Sequence, residues 1–169
     1  MEWLEQSTEN CSIQRTLDVI GDKWAIQVLR ESFRGVHRFD EMRDHLGISD
    51  SVLSRRLHSL VAEGVLERRE YREEGARRRN DYRLTEKGRA LYPTIVALLR
   101  WGDAYYADAA GPAVEIVHSG CGEKVSAEVR CAARHRLESP TEAETIPGPG
   151  ALPRPGLLPA PEDAARGRD

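Results

Sequence analysis

"HRFDEMRDHLGISDSVLSRRLHSLVAEGVLERREY", residues 37–71, carries the pattern on which the fold turns. Its first part sets Phe39, Met42 and Leu46 on one stripe of a short helix, and Gly47 stands where a C-terminal cap is needed. Ser49 and Asp50 are both N-cap candidates for a second helix. Its apolar stripe is Leu53, Leu57, Leu60 and Val61, and it ends at Gly64. At about 100° per residue, Ser51, Ser54, Arg55, His58, Ser59 and Ala62 fall on the opposite face. That face is small, polar and cationic, which suits a helix entering a DNA major groove: small residues permit close approach, and Ser and Arg reach base edges and phosphates. Arg56 lies at the edge of the stripe, where it meets a phosphate or a neighbouring carboxylate. Two short helices separated by a tight glycine turn make a helix-turn-helix.

Outward from this pair, residues 65–71 and 78–84 read as two strands joined by "REEGA", a hairpin. Its arms carry Arg68, Arg69, Arg72, Arg77, Arg78 and Arg79. Beside a groove-reading helix such a hairpin meets phosphates or the minor groove. The glutamates interleaved with these arginines leave a second reading, cross-strand salt bridging. Arg38, just before the first short helix, is a further candidate for a backbone contact. The fold expected is a winged helix-turn-helix, mainly α with a small β-hairpin wing.

Upstream, residues 16–33 read as helix, with Leu17, Ile20, Trp24, Val28 and Leu29 at helical spacing and Gly21 marking a break. Downstream, Thr85 caps a long segment with Leu91, Ile95, Leu98, Leu99 and Tyr105 on roughly one face, in which Pro93 kinks or restarts the helix. An apolar helix outside a small DNA-reading core packs most simply against its own copy, so a homodimer on two half-sites is expected.

Composition narrows the alternatives. The chain has 169 residues, 40% of them hydrophobic, and a formal net charge of -3. Affinity for double-stranded DNA must therefore come from a local patch. Neither a signal peptide nor a membrane span is indicated, and a cytoplasmic protein is expected. No nucleophile, base and orienter cluster, phosphate-binding loop or paired-carboxylate site is visible, so enzymatic activity is not expected. The competing non-enzymatic class is a winged-helix module that docks onto proteins.

Two features stand apart from the DNA reading. Cys11 sits just before the first helix with Arg15 four residues on, a setting in which a thiol can become a reactive thiolate. His118, Cys121, Cys131 and His135 spell H-x2-C and C-x3-H, residue types suited to zinc, although the gap between the arms is short and Arg134 stands where a C-x2-C pair would have its second cysteine. This stretch looks like a degenerate zinc-ribbon-like appendage. A metal site, a packed hairpin with inert thiols and a reversible Cys121–Cys131 disulfide all remain open. The expected organisation is a DNA-binding and dimerisation domain over 1–108, the appendage over 109–137, and a structureless Pro/Gly/Ala-rich tail over 138–169.

"CSIQRTLDVIGDKWAIQVLRESFRGVHRFDEMRDHLGISDSVLSRRLHSLVAEGVLERREY" followed by "NDYRLTEKGRALYPTIVALLRWG" resembles the HxlR family of bacterial winged-helix transcriptional regulators, over Cys11 to Gly102. The resemblance rests on a combination: a cysteine before the first helix, "IGDKW", "RF" followed by an acidic and an apolar residue, "IS" with the later "RL", and tyrosine before "LT" and "GR". It implies homodimers on operator DNA near the regulator's own gene or a divergent neighbour. It also implies, from several members, an oxidant or small-molecule electrophile as effector acting through the cysteine that matches Cys11. The wing departs from the family's usual proline-containing loop in carrying "EEGARRR", so wing contacts do not transfer.

Overall fold

Residues 3–71 and 79–155 are described by a computed structural model of the chain. The elements are α1 (Ser12–Ile20), α2 (Lys23–Phe33), α3 (Phe39–Leu46), α4 (Asp50–Ala62), β1 (Leu66–Tyr71), β2 (Arg79–Leu84), α5 (Glu86–Arg89) and α6 (Tyr92–Tyr106). The expected helix-turn-helix is α3 and α4, and the hairpin is antiparallel, with Leu66 opposite Leu84 and Arg68 opposite Tyr82. The fold is α+β, as the pattern predicted.

Local chemistry sets the boundaries. At Gly21 a β-carbon would lie 2.5 Å from the Leu17 carbonyl oxygen, so the chain can close there only with glycine. Asp22 then caps α2, its Oδ1 accepting the Trp24 and Ala25 amides at 2.9 and 3.3 Å. Gly47 ends α3 in the left-handed region, φ 63°, and donates to the Arg43 carbonyl at 2.9 Å. Of the two N-cap candidates for α4, Ser49 is the cap, accepting the Val52 amide at 3.4 Å.

The core is where the stripes of α2, α3 and α4 meet the hairpin. Val28, Leu29, Met42, Leu53, Leu57, Leu60, Val65 and Leu66 are each at most 1% exposed. Burying side chains of this size contributes about 1.5–3 kcal/mol apiece, which fixes α4 face-down on its leucines. The link between α2 and α3 lies along the outer side of β2: His37 accepts the Tyr82 amide at 2.9 Å, and Arg38 bridges Asp81. The hairpin is thereby tied to the start of the helix-turn-helix.

The segment after Thr85 divides in two. The Thr85 hydroxyl accepts the Gly88 amide at 3.1 Å and donates to the Gly64 carbonyl at 2.6 Å, and α5 stops after one turn. Pro93 occupies the first turn of α6, a restart rather than a kink. The apolar residues of α6 do not share a single environment. Ile95 and Val96 are buried, whereas Leu98, Trp101, Tyr105 and Tyr106 are exposed.

After a tight turn closed by Asp108 and Gly111, residues 113–137 carry two further small turns. The first brings Val117 opposite Lys124, and the second brings Arg130 opposite Arg136. Arg100 of α6 holds the first in place, donating to the carbonyls of Val125 at 2.7 Å and Ile116 at 3.3 Å. Over 138–155 the tail carries little regular structure. A 3-10 turn (Pro140–Glu142) carries a capping box built on Ser139 and Glu142, and Pro153 pairs with Gln6. These contacts are made by backbone groups and one cap, where side-chain composition offers no core; residues 156–169 lie outside the described residues.

Candidate nucleic-acid interface

The outer face of α4 emerges as its leucines dictate. Leu53, Leu57 and Leu60 point inward, so Ser51, Ser54, Arg55 and His58 are left exposed on the other side. This helix and the hairpin face each other across a concavity of about 600 Å3 lined by Ser54, Arg55, His58, Val61, Arg68 and Tyr82. Among these lining residues none is acidic, so a cationic, hydrogen-bonding surface results despite the net negative chain. Arg68 and Tyr82 share the site because they are opposite one another in the ladder and side chains opposite each other lie on one face of a sheet. Tyr82 was not among the sequence candidates. Its period-2 relation to Leu84 and its position across from Arg68 are the signals that would have found it.

Arg56 faces elsewhere. Its Nε lies 2.8 Å from Asp22 Oδ1 and its Nη2 donates to Asp22 Oδ2 at 2.9 Å. The neighbouring-carboxylate alternative thus describes its environment, and the same Asp22 that caps α2 holds α4. Ion pairing on the outer surface is common: Arg43 bonds both Asp44 and Asp50, at 2.7 and 3.3 Å. Those hydrogen bonds, Asp44 first, raise the Arg43 pKa.

Arg38 takes the N-cap position of α3, with its Nε 3.9 Å from Glu41 Oε1. It lines a second hollow, of about 460 Å3, with Gly35, His37, Glu41, Asp81 and Arg83. Arg83 is bound to Asp81 Oδ2 through Nε at 2.8 Å and Nη2 at 2.7 Å. In the wing, Glu67 pairs with Arg69 on the same strand. Arg77 and Arg78 lie outside the described residues, and of Arg79 only the backbone, opposite Tyr71, is described.

A second ionic knot joins α2 to α3. Glu31, fully buried, accepts from Arg30 Nε at 2.8 Å and lies 2.8 Å from His45 Nδ1. Burial pushes the Glu31 carboxyl up, but the hydrogen bonds and charges of Arg30 and His45 together outweigh it and hold the carboxyl below its ordinary value.

Cys11 is the N-cap residue of α1 and is half-buried, without a side-chain capping bond. In the appendage His118 Nδ1 lies 3.2 Å from Cys121 Sγ, while Cys131 and His135 meet through a backbone hydrogen bond of 3.1 Å. Among the described residues no three His, Cys, Asp or Glu side chains gather as a metal would require. The arrangement therefore does not fit the zinc site that the H-x2-C and C-x3-H spacing suggested. Arg134, at φ 68°, occupies the second turn, and Glu128 binds Arg130 and Arg136 there at 2.6 and 3.3 Å. All three cysteines are free, which removes the Cys121–Cys131 disulfide from this structure. Among the described residues no helix is long and apolar enough to cross a membrane.

Comparison with known proteins agrees with this geometry. The chain is 38% identical over 147 residues to the uncharacterised HTH-type transcriptional regulator Rv3095 of Mycobacterium tuberculosis, covering 87% of this chain and 90% of that protein. It is 33% identical over 106 residues to the uncharacterised HTH-type transcriptional regulator YdeP of Bacillus subtilis, covering 62% and 81%. Among solved structures it superposes on PA1607, a candidate transcription factor, with a TM-score of 0.73 and 34% identity over 82% of this chain and 95% of that one. The redox regulator HypR in its oxidised form matches with a TM-score of 0.51 and 34% identity over 56% and 96%. The HxlR-like helix-turn-helix model matches residues 19–110, more than half of the chain. These relatives are regulators of transcription rather than enzymes, and the chain belongs to the HxlR-like helix-turn-helix family of DNA-binding transcriptional regulators.

Proposed function

We propose that the protein binds a specific operator as a homodimer, with α4 in the major groove and the hairpin along the adjoining backbone. The single observation carrying this reading is the acid-free concavity between α4 and the hairpin, into which Ser54, Arg55, His58, Arg68 and Tyr82 converge. Arg55, Ser51, Ser54 and His58 supply donors at base edges, and Arg38, Arg68 and the wing arginines 77–79 contact phosphates. Arg56 supports α4 through Asp22 and does not read DNA. The protein acts where the chromosome is, in the cytoplasm.

The second copy docks on the faces that the core leaves uncovered. Trp101 packs at a tilt against Tyr105 and Tyr106 at ring-centroid distances of 5.6 and 5.1 Å, yet all three residues are more than half exposed. Ile13 and Leu17 of α1 are exposed likewise. A helix-long apolar strip of this kind is buried in an isologous dimer. Sensing of an oxidant or electrophile by Cys11 is supported by its N-terminal position on α1 and by the redox role carried in the name of the matched HypR.

The test is fluorescence anisotropy with DNA from upstream of the protein's own gene, in the presence of competitor DNA, for reduced, diamide-treated and Cys11→Ser forms. Specific binding that weakens steeply with salt is expected. Loss on oxidation in the native protein but not in the cysteine variant establishes the thiol switch. Absence of any specific binding returns a protein-docking module to favour.

A further inference from the structure

We infer that the C-terminal segment is a strap laid across the N-terminus, where it limits access to the Cys11 thiol. Gln6 and Pro153 pair antiparallel, the Ser7 amide donates to Leu152 O at 2.8 Å, and the Arg154 amide donates to Glu5 O at 2.6 Å. Asn10 Nδ2 adds a bond to Gly150 O at 3.0 Å. These three bonds fix residues 150–154 along residues 5–10, in the turn that leads directly into α1. Strand addition of this type needs only backbone donors and acceptors and tolerates the Pro/Gly-rich sequence that rules out a packed core.

The strap and the N-terminus together wall a cavity of about 580 Å3. Cys11 is on that wall with Trp3, Leu4 and Ser7 from the N-terminal side, and Ile146, Gly150 and Arg154 come from the strap side. Cys11 is intermediate in exposure, whereas Cys121 and Cys131 are exposed. Gly150 belongs to the device: a β-carbon there would come within 2.6 Å of Asn10 Nδ2 and push away the side chain that holds it. Thiol chemistry requires the reagent to reach sulfur along its line of attack, so a strap that opens and closes sets the rate at which Cys11 reacts.

The strap is a statement about access and rests on the sensor reading only for its biological purpose, so it is tested without DNA. The full chain and the full-length double variant Asn10→Ala/Arg154→Pro are treated with iodoacetamide under native conditions, and alkylation of each cysteine is followed by peptide mass spectrometry. The variant removes two of the three strap bonds and leaves α1 to α6 untouched. In the native chain Cys11 should react at least about five-fold more slowly than Cys121 and Cys131, whose exposure makes them internal standards. In the variant Cys11 alone should accelerate several-fold, with circular dichroism and the melting midpoint retained. A Cys11 rate equal to that of the exposed thiols in the native chain overturns the inference, and so does a rate that the variant leaves unchanged. If circular dichroism or the melting midpoint is lost, the variant has unfolded; Gly150→Ala, the milder change, then decides by the same criterion. Failure of operator binding to respond to oxidation would remove the sensor reading and leave these rates as they are.

Discussion

Replacing Asp22 tests whether one carboxylate both starts α2 and holds α4. Its Oδ1 caps two amides, and both its oxygens engage Arg56, 34 residues away on α4. Loss of an Asp N-cap costs about 1 kcal/mol. The paired groups keep roughly a third of their side-chain surface, 34% for Asp22 and 27% for Arg56, so the charge pair adds about 1 kcal/mol rather than the larger value of a buried pair. Asp22→Ala should then lose about 2 kcal/mol, and Asp22→Asn, which keeps a good cap, about 1 kcal/mol. Arg56→Ala should lose about the same as Asp22→Asn, and the double variant Asp22→Asn/Arg56→Ala no more than either, a coupling of about 1 kcal/mol. Urea denaturation of the native chain and the four variants at unchanged m-value reads these differences directly. Strict additivity, with coupling below about 0.3 kcal/mol, would refute the shared-carboxylate argument.

Three further outcomes follow from the same geometry. Glu31, whose folded carboxyl is held below its ordinary value of 4.5, stabilises fully above that value, and the contribution disappears as pH falls through the lower folded pKa. Urea midpoints between pH 7 and pH 3 should fall in the native chain, and Glu31→Gln should be less stable at pH 7 with a flatter acid limb. Gly88→Ala puts a β-carbon 2.2 Å from the Val65 carbonyl oxygen, and should cost about 1–3 kcal/mol by thermal or urea denaturation as α5 is pushed off the hairpin. Arg55→Ala should weaken operator binding by about 1–3 kcal/mol with altered sequence preference, whereas Arg68→Ala should weaken all sequences alike and reduce the salt slope by about one; anisotropy titrations over a salt series separate the two.

Much of the fold was legible because its signals are local. Leucine spacing in residues 50–62, glycine at 47, serine at 49 and threonine at 85 each act within a few residues, and the structure places a cap or a stripe at each one. The exposed face of α4 follows from the same period, which is why Ser51, Ser54, Arg55 and His58 could be named from sequence. Periodicity misled along α6, where it merged Ile95, which belongs to the core, with Leu98 and Tyr105, which do not, because one stripe can serve two neighbours. In the appendage the Cys/His spacing left metal, inert hairpin and disulfide open, and among the described residues no three such side chains gather.

The sequence by itself determined the element order, the helix-turn-helix with its hairpin, and the polar face of α4, since all of these depend on short-range propensity and on which residues must leave water. Only the tertiary structure decided that Arg56 turns to Asp22, that Tyr82 joins Arg68 opposite α4, that Arg100 holds the appendage, and that residues 150–154 return to lie beside Cys11. Each of those is a contact between groups distant along the chain, and backbone hydrogen bonds in particular leave no side-chain signature that a linear reading could find.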